Sequence, residues 1–63
     1  MNGFMAKNPK QLDLCLRLLY AEHIPFIVDI IENNKKKLVY VITAKADEHK
    51  IEELKEKFRI LIS

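Results

Sequence analysis

A chain of 63 residues holds a single domain, residues 1–63, whose small core leaves little net stability after backbone and side-chain ordering. One cysteine excludes an internal disulfide, and no zinc-ligand spacing occurs, so association with another chain is the support we expect. A net charge of +2 with interleaved lysine and glutamate gives only weak support for nucleic-acid binding.

The composition also bears on location and origin. No apolar run reaches the ~18 residues of a membrane span, and the first ten residues lack the features of a secretory signal. We therefore expect a cytoplasmic protein with no membrane partner. Lysine outnumbers arginine and isoleucine is abundant, which suits an AT-rich genome, a phage or mobile-element gene, or a thermophile.

The chain begins with a short apolar segment and a helix signal. Residues 2–6 predict a brief edge strand, with a loose terminus as the alternative. Asn8 is suited to cap a helix and Pro9 to open it, so we predict a helix from Pro9 to about Glu22. Its main apolar stripe consists of Leu12, Cys15, Leu16, Leu19 and His23.

Two further leucines widen the apolar arc of this first helix. Leu14 and Leu18 lie to the side of the main stripe. The favoured interpretation is that one flank of the helix packs on a sheet and the other on a second helix. The alternative is that Leu14 and Leu18 contact a partner chain.

The segment PFIVDIIENNKKKLVYVIT, residues 25–43, predicts the β-hairpin that the rest of the chain covers. Two β-branched runs flank a polar turn, which we place between Glu32 and Lys37. Alternation places Phe26, Val28 and Ile30 on one face and Ile27, Asp29 and Ile31 on the other. In the return strand Leu38, Tyr40 and Ile42 alternate with Val39, Val41 and Thr43.

Both faces of this hairpin are apolar, whichever of the two sets in the return strand faces the helices. A sheet with one solvated face alternates apolar and polar residues instead. The pattern therefore predicts that the second face contacts protein. Asp29 on that face needs a partner, such as the Tyr40 hydroxyl, a lysine or another chain. The interface candidates are Leu14, Leu18, Ile27, Asp29, Ile31 and Tyr40.

After Thr43 the apolar spacing becomes helical, and the chain ends in a short β-branched run. Leu16 and Leu54 are the predicted core positions of the two helices, and Arg59 to Ser63 is the predicted last strand. The order is then βαββαβ, an α+β fold of the ferredoxin-like type with two helices on one face of an antiparallel sheet. It resembles small ferredoxin-like regulatory and RNA-binding modules, a likeness of fold alone.

The residues that could carry chemistry favour structural roles. Cys15 is predicted to be a buried thiol, His23 a helix-capping imidazole, and His49 with Glu53 a solvated pair that makes at most half a metal site. Gly3 is the only glycine, so no phosphate loop is expected. We predict no catalytic residue, metal or cofactor.

The sequence thus favours a small non-enzymatic protein-interaction or regulatory module, either a homodimer or an inhibitor or adaptor for another protein. The alternative is a nucleic-acid-binding accessory protein that uses Lys35, Lys36 and Lys37 at the hairpin tip. A ligand-sensing module with a pocket at a dimer interface is a third class, and an enzyme comes last.

Overall fold

The structure, a computed structural model, describes residues 3–63, which form three strands and two helices of an α+β fold. Asn2 of the predicted first strand lies outside the described residues. The elements in chain order are β1 (Gly3–Ala6), α1 (Pro9–Ala21), β2 (Phe26–Glu32), β3 (Leu38–Ala44) and α2 (Glu48–Ile62).

The three strands form one antiparallel sheet in the order β1-β3-β2. Phe4 pairs with Ile42 on one side of β3, and Val28 pairs with Ile42 on the other. β1 and β2 are therefore parallel to each other, with β3 between them. The predicted hairpin forms, and its turn lies between Glu32 and Leu38.

The prediction of a fourth strand is wrong, and with it the ferredoxin-like βαββαβ order. Residues 59–62 continue α2, so the observed order is βαββα. Phe58 is buried in the core and fixes the helix just before this segment. Arg59 then pairs with Glu56, and the Ser63 hydroxyl donates to the Ile60 carbonyl oxygen at 2.9 Å. Each residue added to an existing helix gains a backbone hydrogen bond, which here outweighs β-branching.

The hydrophobic core lies between the helices and one face of the sheet. The rings of Phe4 on β1 and Phe58 on α2 meet edge to face, with centroids 6.0 Å apart. Leu16 is only partly buried, whereas Leu19 and Leu54 are fully buried. The buried core residues are Phe4, Ala6, Cys15, Leu19, Ile42, Ala44, Ile51, Leu54 and Phe58.

Both predicted termini of α1 are marked by specific backbone contacts. The Asn8 side chain accepts a hydrogen bond from the Gln11 N–H at 2.8 Å, which confirms the N-cap. At the other end the N–H groups of Ile24 and His23 donate to the carbonyl oxygens of Leu19 and Tyr20, both at 3.0 Å. This is a Schellman motif, and His23 holds its left-handed position with φ 56°. The backbone of His23, rather than its imidazole, therefore closes the helix.

The left-handed backbone of His23 leads to a stability prediction. A Cβ at this position costs about 1 kcal/mol or more, which glycine avoids. We expect His23→Gly to raise the free energy of unfolding by about 1 kcal/mol in urea titrations followed by circular dichroism. His23→Ala keeps the Cβ and serves as the control, with no comparable gain expected. An equal increase in the free energy of unfolding for both variants would contradict the expected backbone strain at His23.

An ion pair joins the end of α1 to the start of α2. The Lys50 ammonium lies 2.9 Å from a Glu22 carboxylate oxygen. The hydrogen bond from Lys50 and its charge lower the pKa of Glu22 below its ordinary value, and the same hydrogen bond raises the pKa of Lys50.

The lowered pKa of Glu22 sets the direction of a pH dependence. The pair stabilises the fold above the unfolded pKa of Glu22, and this contribution is lost as the pH falls through the lower folded pKa. We expect the stability advantage of wild type over Glu22→Gln to shrink in acid, measured by urea titrations across a pH series. An advantage that grows as the pH falls would contradict the pairing.

Candidate functional site

The sheet has one face turned away from both helices, which we call the outer sheet face. Phe26, Val28 and Ile42 pack against the core, so the residues that alternate with them along the strands point the other way. The pairing registers align these residues in rows across the three strands. The outer sheet face carries Met5, Ile27, Asp29, Ile31, Val39, Val41 and Thr43.

The outer sheet face exposes large apolar side chains. Ile27 is 62% exposed, Met5 is 56% exposed and Ile31 is 46% exposed. Val39 lies on β3, the central strand, between the strands that carry Met5 and Ile31. It is only 6% exposed, although it is not part of the core cluster. Val39 thus lies in a small hydrophobic cluster of the outer sheet face itself.

Lysine side chains lie at the two ends of the outer sheet face. Lys7 and Lys37 border a groove of about 330 Å³ that also contacts Met5, Ile31 and Val39. Lys45 borders a second groove at the opposite end of the face, beside Ile27 and Thr43. The face therefore combines exposed apolar side chains and the Asp29 carboxylate with lysines at its two ends, and many protein interfaces likewise have a polar rim around apolar contacts.

Asp29 and Tyr40, both predicted at the interface, lie on opposite faces of the sheet. Tyr40 pairs with Ile30 and Ala6 on the helix side, where it is partly buried against the core. Asp29 is exposed on the outer sheet face opposite Val41. Asp29 therefore does not bond to the Tyr40 hydroxyl, and among residues 3–63 its carboxylate forms no ion pair.

Leu14 and Leu18 lie on α1, on the helix side of the sheet. Both are partly buried and pack against the core cluster. Leu18 also borders a shallow groove with Lys57, Ile60 and Leu61 of α2. Neither leucine lies on the outer sheet face with Ile27 and Ile31. The predicted interface residues therefore lie on two separate surfaces of the molecule, the outer sheet face and the helix side.

Sequence reasoning missed an apolar surface at the end of α2. Ile60, Leu61 and Ile62 are exposed, because these residues form a helical turn rather than a strand. Leu61 stands seven residues after Leu54, and Ile62 stands four after Phe58. The helical period of α2 therefore continues to its end, and this spacing was the available signal.

The hairpin tip presents the three lysines as free surface cations. The Asn33 side chain accepts hydrogen bonds from the N–H groups of Lys35, at 2.9 Å, and Lys37, at 3.1 Å. Lys36 adopts a left-handed backbone with φ 58°, as expected where a turn closes with a bulge. The side chains of Lys35, Lys36 and Lys37 are exposed, and none forms an ion pair within residues 3–63.

The cysteine and the two histidines do not lie in a shared cluster within residues 3–63. Cys15 is fully buried, and desolvation raises the pKa of its thiol to about 11, so it stays protonated at neutral pH. His23 and His49 are exposed. Residues 3–63 contain no cluster of three or more histidine, cysteine or acidic side chains that could hold a metal ion. They also contain no helix long and apolar enough to span a bilayer.

The fold and this surface define a class of molecule: a small α+β domain with helices on one sheet face and an apolar second face. No protein-family model, curated protein or solved structure matches the chain.

Proposed function

We propose that this protein is a small non-enzymatic interaction module that binds protein through the outer sheet face. The observation that carries the proposal is the exposure of three large apolar side chains on this face, Ile27, Met5 and Ile31. Met5 and Ile31 border the same groove as the buried Val39. Burying one such side chain contributes about 1.5–3 kcal/mol. For a 63-residue domain with a small core, that contribution is a large part of the total stability.

The partner in this proposal is either a second copy of the chain or a different protein that the module inhibits or adapts. Light scattering over a concentration series separates the two. A mass that rises from 7.4 kDa towards twice that value supports a homodimer. A constant monomer mass supports a different partner, which is then sought by capture from the native host. A monomer that captures no protein contradicts the proposal.

Nucleic-acid binding at the hairpin tip is the second candidate function, and the exposed lysines Lys35, Lys36 and Lys37 favour it. Phosphate contacts by these side chains would make affinity fall steeply with salt. Binding to mixed-sequence DNA and RNA at two salt concentrations, compared with Lys36→Glu, tests it. Salt-dependent binding that the substitution weakens supports this candidate, and its absence excludes it.

A further inference from the structure

The sheet has two edges, and they differ in how open they are to a further strand. β1 contributes four residues to one edge and β2 contributes seven to the other. Within residues 3–63 neither outer edge pairs with another strand. Alternate residues of an edge strand direct their N–H and C=O groups away from the sheet, which leaves the longer strand with more unused hydrogen-bonding groups.

β2 lacks most of the features that protect edge strands. Its sequence FIVDIIE contains no lysine, proline or glycine. Ile27 and Ile31 are exposed on the outer sheet face, and Ile30 is exposed on the other face. The charge at the centre of the strand is Asp29, which is also exposed. Asp29 is therefore the residue that selects which strands can pair with this edge.

Asp29 disfavours pairing with a second copy of β2. A two-fold symmetric antiparallel pairing over all seven residues, Phe26–Glu32, places Asp29 opposite Asp29 of the second copy. Like charges directly opposite each other destabilise a strand pair. A shift of two residues avoids this contact but places the carboxylate opposite an isoleucine and shortens the pairing.

We infer that the free edge of β2 binds an extended strand of a different protein, with lysine or arginine opposite Asp29. Opposite Ile27 and Ile31 the same strand would carry apolar residues, which gives the pattern apolar, any, basic, any, apolar. Backbone hydrogen bonds supply pairing, and the basic residue supplies selectivity. This inference goes beyond the proposed function, because it concerns the sheet edge rather than its outer face.

Two synthetic peptides test the inference directly. Each peptide has seven residues and blocked ends. Threonine occupies the odd positions, and valine occupies the second and sixth positions, which would face Ile31 and Ile27. The fourth position, which would face Asp29, is lysine in one peptide and glutamate in the other. Amide chemical shifts of the full chain are followed during titration at low salt. We expect shifts concentrated in β2 and about three- to tenfold tighter binding of the lysine peptide.

A charge exchange at the same position provides the matched comparison. Asp29→Lys should reverse the preference, so that the glutamate peptide binds more tightly. Glu52→Lys makes the same change in net charge on the exposed surface of α2 and should leave the preference unchanged. Amide spectra confirm that each variant is folded.

Four outcomes would overturn the inference. Three concern the wild type: no shift with either peptide, shifts concentrated in β1, or equal affinity for both peptides. The fourth is a preference that Asp29→Lys does not reverse. The proposed function fails separately, through substitutions at Ile27 that leave protein association unchanged. The two conclusions are therefore distinguished by different measurements: the charge preference of peptides for the sheet edge, and protein association for the outer sheet face.

Discussion

Replacing Leu54 with alanine is expected to lower the free energy of unfolding by about 2–5 kcal/mol. Leu54 is 1% exposed and lies in the core cluster with Leu19 and Ile42. A single core in a domain of this size rarely supplies more than about 3–5 kcal/mol, so the variant should be largely unfolded. Circular dichroism with urea titration measures the loss.

Leu16→Ala is the matched control, since it removes the same atoms from a less buried site. Leu16 is only partly buried and borders a surface groove with Tyr20 and Ala21. We expect a clearly smaller loss than at Leu54, because less apolar surface is returned to water. Equal losses at the two positions would contradict the observed core.

Local signals predicted the helix start and the hairpin well. Asn8 and Pro9 begin α1 as expected, because a cap and a proline act within one turn of the chain. Pro25 separates α1 from β2, and the two β-branched runs pair across the polar turn. These features depend on residues close in sequence.

The hairpin register could not be predicted because the turn carries no glycine. Its left-handed position is occupied by Lys36, so the usual glycine signal for turn length is absent. Without the turn length, the sequence did not show which set of the return strand faces the helices. The sequence therefore predicts Tyr40 at the interface, whereas in the structure Tyr40 is partly buried against the core.

The prediction of a strand at the end of α2 is wrong for a different reason. The run Ile60, Leu61 and Ile62 is compatible with a strand by local propensity. Burial of Phe58 and the pairing of Arg59 with Glu56 extend the helix through it. The burial depends on the assembled core, which propensity alone does not describe.

Replacing Ile27 with lysine is the second substitution with a large expected effect. It places a charge among the exposed apolar side chains of the outer sheet face, where the proposed partner would have to desolvate it. Loss of the isoleucine contact alone removes about 1.5–3 kcal/mol, roughly ten- to hundredfold in affinity. Ile27 is exposed in the single chain, so the fold should be retained.

Ile30→Lys is the matched control for this substitution. Ile30 lies on the same strand, is the same residue type and is 60% exposed, against 62% for Ile27. It lies on the opposite face of the sheet. We expect Ile30→Lys to associate like wild type, and a similar loss in both variants would indicate a general effect of added charge.

The most direct test of the outer sheet face as a binding surface is the solution mass of wild type, Ile27→Lys and Ile30→Lys. Light scattering is performed at matched concentration, with the captured partner present if wild type alone is monomeric. We expect complexes for wild type and Ile30→Lys, and a folded monomer for Ile27→Lys. A wild type that binds no protein, or an Ile27→Lys variant that associates like wild type, would contradict this expectation.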